Sequence, residues 1–337
     1  MRSIRFLAIS GVILLVAACA GPAATPTPAP TAPPTVAPTA PPTAPPTAPP
    51  TATPVPTVAD ACASPALKNT GRLTLSTDIP AFPPWWGGSA PDTYPNEPEG
   101  GSPWSEIEFS AEPYAGEGFE GALAYAVAAE MGFTPDLVDW IPNAVFQNAF
   151  TPGAKPFDFH MAQISATEER AVAVTFSDPY FESNQSLLAL STNDITAATS
   201  VAELQNFRLG AAADTTSFRL IDEVINPTVE PSIFNDNAGV LQALQSDIID
   251  GAIFDLSTAF YMRDAELEDF GTPDPEGKIV GQFGPPAQPD HVAYVLELGN
   301  PLVDCVNQAL AAVKESGQHQ ELLDEWINTG QDVPFLE

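Results

Sequence analysis

Basic residues are scarce in this 337-residue chain. It has 11 Lys and Arg residues against 43 Asp and Glu residues, which gives a formal net charge of -32. Nucleic-acid binding depends on clustered cations that neutralise phosphates, so this balance excludes a nucleic-acid partner. Only Arg2 and Arg5 precede Lys68 among the basic residues, and residues 20–59 carry no charge. The acidity therefore belongs to the C-terminal part of the chain.

Histidine and cysteine are equally rare, with three residues of each. His160, His291 and His319 are scattered and have no metal-ligand spacing with the cysteines. We therefore predict no metal site, and nothing in the sequence indicates a cofactor. Apolar residues make up 44% of the chain, which is typical of a folded protein. Residues 60–337 leave room for one large domain or two small ones.

Residues 1–18 have the pattern of a signal peptide. Arg2 and Arg5 form a basic start, and the apolar run Phe6–Val16 is shorter than the roughly 20 residues that span a bilayer. The run ends in Val-Ala-Ala-Cys at residues 16–19, which resembles the lipobox of bacterial lipoproteins. That resemblance implies cleavage before Cys19 and acylation of Cys19, which would anchor the protein in a membrane. An ordinary cleaved signal peptide with an incidental cysteine is the alternative.

Residues 19–59 form a segment rich in Pro, Thr and Ala. The repeat Thr-Ala-Pro-Pro begins at Thr31, Thr39, Thr43 and Thr47. Such a composition cannot bury a core, so we predict an extended polyproline-II tether that rises about 3.1 Å per residue. The tether would hold the folded part of the chain away from the membrane.

The two remaining cysteines, Cys62 and Cys305, lie in a chain that is predicted to leave the reducing cytosol. An even pair in an oxidising compartment favours a disulfide. This bond would close a loop of 243 residues between the start of the folded part and a helix near its end. Two unpaired buried thiols are the alternative.

Helical and strand patterns alternate through the folded part. Strands are predicted at 72–77, 137–140, 157–164, 174–177, 186–190, 207–211, 232–234, 248–254, 278–282 and 292–296. Helices are predicted at 120–131, from 217, at 237–244, 257–264, 300–314 and 320–328, with a capping box at Ser200 and Glu203. This alternation predicts an α/β fold with mostly parallel sheets that are covered on both faces. Ligands bind such sheets beyond the carboxyl ends of the strands.

Several short segments match one protein family in their order and spacing. They are Gly71–Asp78, Gly118–Glu120, Phe157–Phe159, Thr167–Arg170, Phe176–Tyr180, Thr215–Ser217 and Asp250–Asp255. On these segments the chain resembles, from Gly71 to Gly330, the family 3 extracellular solute-binding proteins, which are receptors of polar amino-acid ABC transporters. The resemblance implies a two-lobe, type II periplasmic-binding-protein-like fold in which two hinge strands join the lobes. It places lobe 1 at 60–183 and 290–337 and lobe 2 at 184–289.

The resemblance also implies what the protein does. It predicts a monomeric receptor, and not an enzyme, that binds an amino acid between closing lobes and delivers it to an ABC permease. The receptor would stand at the outer face of the cytoplasmic membrane, held by the lipid on Cys19. Two alternatives use the same fold: a sensory or surface lipoprotein, and a cyclohexadienyl dehydratase-like enzyme. For the enzyme we find no nucleophile, metal set or general-base histidine.

An amino acid is a zwitterion, so its site must offer a cation to the carboxylate and an anion to the ammonium. The resemblance assigns the carboxylate to Arg170, whose planar fork suits it, and to Thr216 and Ser217 at a helix start. It assigns the ammonium to Asp255 and Ser165. A surface arginine and plain helix N-caps are the alternative interpretations of these residues.

Four further residues complete the predicted site. Asp78 ends the first strand and is either a ligand contact or a turn residue. Phe82, Trp85 and Trp140 are candidates for an apolar wall around the solute side chain, with ordinary core packing as the alternative.

The sequence departs from the family pattern at three places. Gln163 and Asp214 stand where glycine is common in the family. The loop at residues 79–119 is longer than usual and carries Asp92, Glu97, Glu99, Glu106, Glu108, Glu112 and Glu117. Carboxylates near the mouth of the cleft would favour a cationic amino acid, and solvated surface is the alternative.

Overall fold

The structure is a computed structural model that describes Cys62 and residues 66–88, 98, 100–107, 110–267, 277–284, 289–327 and 333–337. The predicted signal peptide, Cys19 and the tether lie outside these residues.

The first sheet contains five strands in the described residues. They are β1 (Leu73–Asp78), β2 (Val138–Asn143), β3 (Phe159–His160), β4 (Val174–Ser183) and β10 (Asp290–Glu297), in the order β2-β1-β3-β10-β4. Strands β1, β2 and β3 are parallel, and β10 is antiparallel to both of its neighbours.

The second sheet contains six strands in the described residues. They are β5 (Gln185–Leu190), β6 (Leu209–Ala212), β7 (Ser232–Phe234), β8 (Gly251–Asp255), β9 (Gly277–Phe283) and β11 (Phe335–Leu336), in the order β11-β9-β5-β8-β6-β7. Leu188 and Phe254 face one core, whereas Leu187 and Ile253 face another. Alternate residues are therefore buried on both faces, as expected for a sheet that helices cover on two sides.

The helices follow the strands in the predicted alternation. The described α-helices are α1 (Phe119–Glu130), α2 (Glu168–Ala171), α3 (Thr216–Arg219), α4 (Asn237–Gln245), α5 (Leu256–Tyr261), α6 (Leu302–Glu315) and α7 (Gln318–Trp326). Helices α3 and α5 continue in π-helical turns at Leu220–Ile225 and Met262–Leu267. No helix within the described ranges is both long and apolar enough to span a membrane.

Helices α1 and α6 contribute to the core that lies on the first sheet. Cys305 on α6 is 1% exposed and belongs to this core. It forms a disulfide with Cys62, and the two Cα atoms are 4.9 Å apart. The bond thus fastens the beginning of the folded part to a buried helix near its end, as the sequence predicts.

Two adjacent passages of the chain between the sheets join the lobes, and a third passage, between β10 and β11, returns the end of the chain to the second sheet. Strand β4 leads into β5 through Asn184 alone, and β9 is followed by β10. Asp290, the first residue of β10, pairs with Ser183, the last residue of β4. The Asn184 side chain donates to Gln282 in the second sheet (2.8 Å). These crossings confirm the predicted fold class, an α/β structure of two lobes joined by two strands.

The end of the chain lies in the second sheet. Phe335 and Leu336 pair in parallel with Gln282 and Phe283, and Leu336 is buried in a core with Val280 and Phe283. Burial of this leucine explains why the last strand leaves the lobe to which residues 290–337 were assigned. The other lobe boundaries stay predictions.

Candidate functional site

The candidate site lies between the two sheets, near the carboxyl ends of β1, β3 and β8. Contacts between the lobes surround it. Trp85 Nε1 donates to Thr258 Oγ1 in α5 (3.4 Å), and the rings of Phe82 and Tyr261 have centroids 6.5 Å apart. Trp85 and Phe82 therefore lie where the lobes meet. Trp85 is 3% exposed and also packs in the core of the first lobe, so its place in an apolar wall stays a prediction.

Arg170 lies on the short helix α2, where Thr167 caps the helix by accepting a bond from the Arg170 backbone N–H (3.2 Å). The guanidinium donates to the carbonyl of Ser165 (2.9 Å) and, across the lobes, to the carbonyl of Asp214 (2.7 Å). It also stacks over the Phe150 ring at 4.3 Å from the centroid. The residue is 6% exposed, so the interpretation as a surface arginine is wrong.

The Arg170 guanidinium has no carboxylate partner within the described residues, because no Asp or Glu oxygen there lies within 4.0 Å of it. Burial lowers the pKa of Arg170 to about 10, and the nearby positive charge of Arg219 adds to this effect. A buried cation without a counter-ion is costly, and a bound anion would remove that cost.

A cavity of about 420 Å³ opens beside Arg170 between the lobes. Phe150 lines it from the first lobe, and Asp214 and Thr215 line it from the second. Its volume suits a small solute. Asp255 is not among the lining residues, so a solute that contacts both Arg170 and Asp255 must displace side chains that lie between them.

Helix α3 presents two hydroxyl groups to the site. Thr215 is its N-cap and accepts a bond from the Phe218 backbone N–H (3.1 Å). The hydroxyls of Thr216 and Ser217 are therefore not used as caps, and the N-cap interpretation of these two residues is wrong. The Thr216 hydroxyl lies 3.4 Å from the Ser165 hydroxyl, which connects the lobes, and Ser217 donates to the amide oxygen of Gln185 (2.6 Å).

Asp255 and Asp290 meet at the amide nitrogen of Gln185. This nitrogen donates to Asp255 Oδ1 (2.7 Å) and to Asp290 Oδ2 (2.6 Å), and Thr216 donates to the same Asp290 oxygen (3.0 Å). Asp255 occupies the N-cap position of α5, but its side chain makes no capping bond. Ser165 thus connects Arg170, which donates to its backbone carbonyl, with Thr216 and the two carboxylates, which are reached from its hydroxyl.

Desolvation raises the pKa of Asp255 to about 7, and the negative charge of Asp290 adds to the rise. In an unfolded chain an aspartate loses its proton at about pH 4. Between these values the folded protein binds more protons than the unfolded chain, so the stability that protonated Asp255 contributes is lost as the pH rises from about 4 to about 7.

The variant Asp255→Asn tests this linkage, because asparagine does not ionise. In the solute-free protein, we expect the free energy of unfolding of the variant to rise relative to wild type between pH 5 and pH 8. Urea denaturation at both pH values measures the difference. A difference that does not depend on pH would contradict the assigned titration.

Asp78 ends β1 and accepts a hydrogen bond from Asn143 Nδ2 (2.8 Å). His160 Nε2 lies 3.7 Å from the same carboxylate oxygen, but burial lowers the pKa of His160 to about 3. The imidazole is therefore neutral near pH 7 and supplies no counter-charge. Desolvation raises the pKa of Asp78 to about 7.

Trp140 does not join the other predicted residues. It is 3% exposed, packs edge-on against Trp86 with centroids 5.2 Å apart, and donates to the Tyr125 hydroxyl (3.1 Å). Val138 and Trp140 point into the same core because they alternate along β2. Trp140 therefore packs in the core of the first lobe and does not form part of the apolar wall.

Neither predicted interpretation, carboxylates at the mouth of the cleft or solvated surface, describes every acid of the loop at residues 79–119. Glu112 is 2% exposed and accepts bonds from the Ser102 hydroxyl (2.8 Å) and the Tyr114 backbone N–H (3.2 Å). It therefore caps the turn Pro113–Ala115 instead of meeting solvent. Glu106 and Glu117 are exposed. The remaining acids of the loop, Asp92, Glu97, Glu99 and Glu108, lie outside the described residues.

The backbone explains the two positions where glycine is common. Gln163 and Asp214 have φ angles of 51° and 58°, in the left-handed region that glycine adopts most easily. At Gln163 the turn is held by buried Glu120, which accepts a bond from the Gln163 backbone N–H (2.8 Å). At Asp214 the carbonyl is turned toward Arg170. Both departures thus keep the backbone that the site needs.

The sequence profile of the bacterial extracellular solute-binding proteins, family 3, matches residues 102–329. This chain belongs to that family. An arginine-binding extracellular protein of Bacillus subtilis (strain 168) is 23% identical over 217 residues, which cover 64% of this chain and 78% of the relative. The ABC transporter arginine-binding protein 1 of Escherichia coli (strain K12) is 26% identical over 211 residues, which cover 61% and 78%.

Solved structures of solute-binding proteins share the two-lobe fold. An ancestral arginine-binding protein bound to arginine has a TM-score of 0.57 at 23% identity, with 77% of this chain and 99% of that chain covered. An ancestral amino acid-binding protein, a precursor of cyclohexadienyl dehydratase, also has a TM-score of 0.57 at 23% identity, with 77% and 96% covered. At this identity the likeness shows the fold alone.

The sequence did not reveal Gln185 and Asp290 as site residues. Each is the first residue of a strand that enters its sheet from the other lobe. Polar residues at these crossing points are the signal that would have found them.

Proposed function

We propose that this family member is an extracytoplasmic receptor that binds an α-amino acid between its two lobes. The observation that carries the proposal is the site's charge arrangement. Buried Arg170 lacks a carboxylate partner within the described residues. It donates to the backbone carbonyl of Ser165, and the hydroxyl of the same serine begins a chain of contacts through Thr216 to the carboxylates of Asp290 and Asp255. A zwitterion would supply the missing anion at one end and a cation at the other.

Each end of the amino acid has candidate partners in the proposed complex. Arg170 would take the solute carboxylate through its planar fork. The Thr216 and Ser217 hydroxyls, which donate to Asp290 and Gln185 in the solute-free protein, would turn to donate to this carboxylate. Asp255 would take the ammonium, and Ser165 would accept a further bond from it. Hydrogen bonds in which both partners are ionised are the strongest that such a site can offer.

We infer a preference for a cationic amino acid. Asp255 and Asp290 belong to the site, and Asp78 at the end of β1 is a further predicted acidic residue, whereas Arg170 is the one buried arginine there among the described residues. A second acidic group on the solute would add to the negative charge, and a basic side chain would offset it. The named relatives, an arginine-binding extracellular protein and an arginine-binding protein of an ABC transporter, support the same class.

Binding would be completed by closure of the lobes. The Arg170 guanidinium already reaches the Asp214 carbonyl in the other lobe, and Arg219 lies 3.4 Å from Glu169 across the same gap. The second pair is exposed and so contributes little. Rotation about the crossings at Asn184 and Asp290 would open the cleft for entry.

Membership in this family supports the rest of the proposal. The loaded receptor would pass its solute to an ABC permease, and a lipid on Cys19 would keep the monomer at the outer face of the cytoplasmic membrane. A sensory role for the same lobes is the alternative, and a sensor kinase in place of the permease would identify it.

A thermal-shift screen of the twenty amino acids tests the proposed function. A ligand at about 100 times its Kd stabilises the folded state by about 2.7 kcal/mol, so a true solute raises the Tm. We expect arginine and lysine to raise the Tm, and glutamate and aspartate to leave it unchanged. A raised Tm with acidic amino acids alone would overturn the cationic preference. Turnover of prephenate or arogenate would show that the protein is an enzyme and would overturn the proposed receptor function.

A further inference from the structure

The amide nitrogen of Gln185 occupies an unusual position. It lies 2.7 Å from Asp255 Oδ1, 2.6 Å from Asp290 Oδ2 and 3.4 Å from Thr216 Oγ1. The side chain is held there by the Ser217 hydroxyl, which donates to its oxygen, and the residue is 7% exposed. One nitrogen surrounded by three oxygen acceptors, two of them carboxylates, is the arrangement that an ammonium group requires.

The two carboxylates come from different parts of the fold. Asp255 ends β8 in the second lobe, whereas Asp290 begins β10 at the crossing and pairs with Ser183 on β4. A cation held by both would therefore connect the second lobe to the strands that join the lobes. Two adjacent carboxylates also repel each other unless a donor or a cation lies between them.

We propose that Asp255 and Asp290 together hold the α-ammonium of the solute, and that the Gln185 amide nitrogen occupies the ammonium position in the solute-free protein. This inference rests on the proposed function and adds to it a second anionic residue, Asp290, at the hinge. On binding, the ammonium displaces the amide and takes over its three acceptors. The solute thereby contacts the crossing strand directly, and its ammonium stabilises the closed lobes.

A change in proton binding accompanies this exchange. The groups around the Asp255 carboxylate are Asp290 on β10, Arg170 on α2 and Gln185 on β5, and Thr216 on α3 donates to Asp290. Desolvation and the Asp290 charge raise the pKa of Asp255 to about 7, so it is partly protonated near neutral pH. Because an ammonium needs the ionised carboxylate, binding at pH 6.5 releases this proton to the buffer.

The variant Asp290→Asn tests the proposal, since it removes the charge and keeps the shape. The probes are L-arginine and 5-guanidinopentanoic acid, which is arginine without its α-ammonium, titrated calorimetrically into the purified protein. We expect the variant to bind L-arginine at least ten-fold more weakly than wild type and to bind the des-amino probe within about two-fold of wild type. Titrations at pH 6.5 in buffers of different ionisation enthalpy count the protons released on binding. We expect Asp290→Asn to release fewer protons than wild type when it binds L-arginine.

The matched control is Glu182→Gln on the neighbouring crossing strand β4. Glu182 is exposed and lies 3.2 Å from His291 Nδ1. Its replacement by glutamine removes one negative charge near the hinge, as Asp290→Asn does, but its side chain does not contact Gln185, Asp255 or Asp290 in the network. We expect its affinity for both probes to equal that of wild type. The variant Asp290→Glu, which restores the charge, should recover part of the affinity for L-arginine.

The outcomes separate this inference from the proposed function. If Asp290→Asn is folded and binds L-arginine as wild type does, or loses both probes equally, the inference is wrong and the receptor function stands. If wild type binds no L-arginine, the proposed cationic receptor fails, and this inference fails with it. If Asp290→Asn does not fold, Asp290→Glu is tested in its place. Equal changes in its affinity for L-arginine and for the des-amino probe would contradict the proposal.

Discussion

Replacement of Arg170 by alanine is expected to weaken L-arginine binding by roughly a hundred-fold or more. Removing one partner of a buried ion pair costs about 3 to 5 kcal/mol, because the other charge is left buried and uncompensated. Here the stranded group would be the solute carboxylate, since the guanidinium is buried and has no other anionic partner within the described residues. Isothermal titration calorimetry measures the loss directly.

Two further variants separate charge from shape. Arg219→Ala removes a cation that borders the same cavity but is only half-buried and pairs with exposed Glu169, so it should change the affinity only slightly. Arg170→Lys keeps the charge and loses the planar fork, so its affinity should lie between those of wild type and Arg170→Ala. If Arg170→Ala binds as tightly as Arg219→Ala, the carboxylate site is elsewhere.

Removal of the Cys62–Cys305 disulfide is expected to cost up to about 5 kcal/mol of folding stability. The bond closes a loop of 243 residues, and a long loop has a large entropy to lose when the chain is cross-linked. Cys62→Ala tests this best, because Cys62 is only partly buried whereas Cys305 lies in the core. Urea denaturation of the variant and of wild type gives the difference in the free energy of unfolding.

The oxidation state is the control for that experiment. Wild type in reducing conditions should approach the stability of Cys62→Ala, and reductant should have no effect on the variant. The solute affinity should be unchanged, because the bond lies in the core of the first lobe and not in the site. Equal stability of variant and wild type would mean that the bond does not constrain the unfolded chain.

Hydrophobic periodicity and turn residues sufficed to predict most of the fold. The strand Ser232–Phe234 has its predicted ends, and helix α1 is displaced from its predicted bounds by one residue. Strand β3 contains only Phe159 and His160 of the predicted 157–164, and the left-handed residue Gln163 accounts for the end of the extended run before residue 164. Such a turn leaves no hydrophobic signal, since the residues on both sides of it are buried.

Local caps were predicted less well than whole elements. Ser200 begins a 3₁₀ helix as the N-cap, but its side chain makes no capping bond. Glu203 accepts from the backbone N–H of Thr199 (2.8 Å) and also interacts with the backbone of Ser200. The sequence pattern therefore gives the position of the helix start and the role of Glu203, but not the absence of a capping bond from Ser200.

The family motifs located part of the candidate site and missed the rest for a physical reason. Arg170, Thr216 and Asp255 follow short motifs at strand ends, so each can be found from its own segment. Gln185 and Asp290 are 105 residues apart in the chain and meet only because the two crossing strands run side by side. No local pattern contains that contact.

In the proposed complex, one buried arginine and a carboxylate pair hold the two ends of an amino acid between the lobes. The most direct measurement is a calorimetric comparison of L-arginine with agmatine, which is arginine without its carboxylate. We predict that one L-arginine binds per chain and that agmatine binds at least about a hundred-fold more weakly, because it leaves Arg170 without its anion. If agmatine binds as tightly as L-arginine, or if neither compound binds, Arg170 does not hold the carboxylate of a bound arginine.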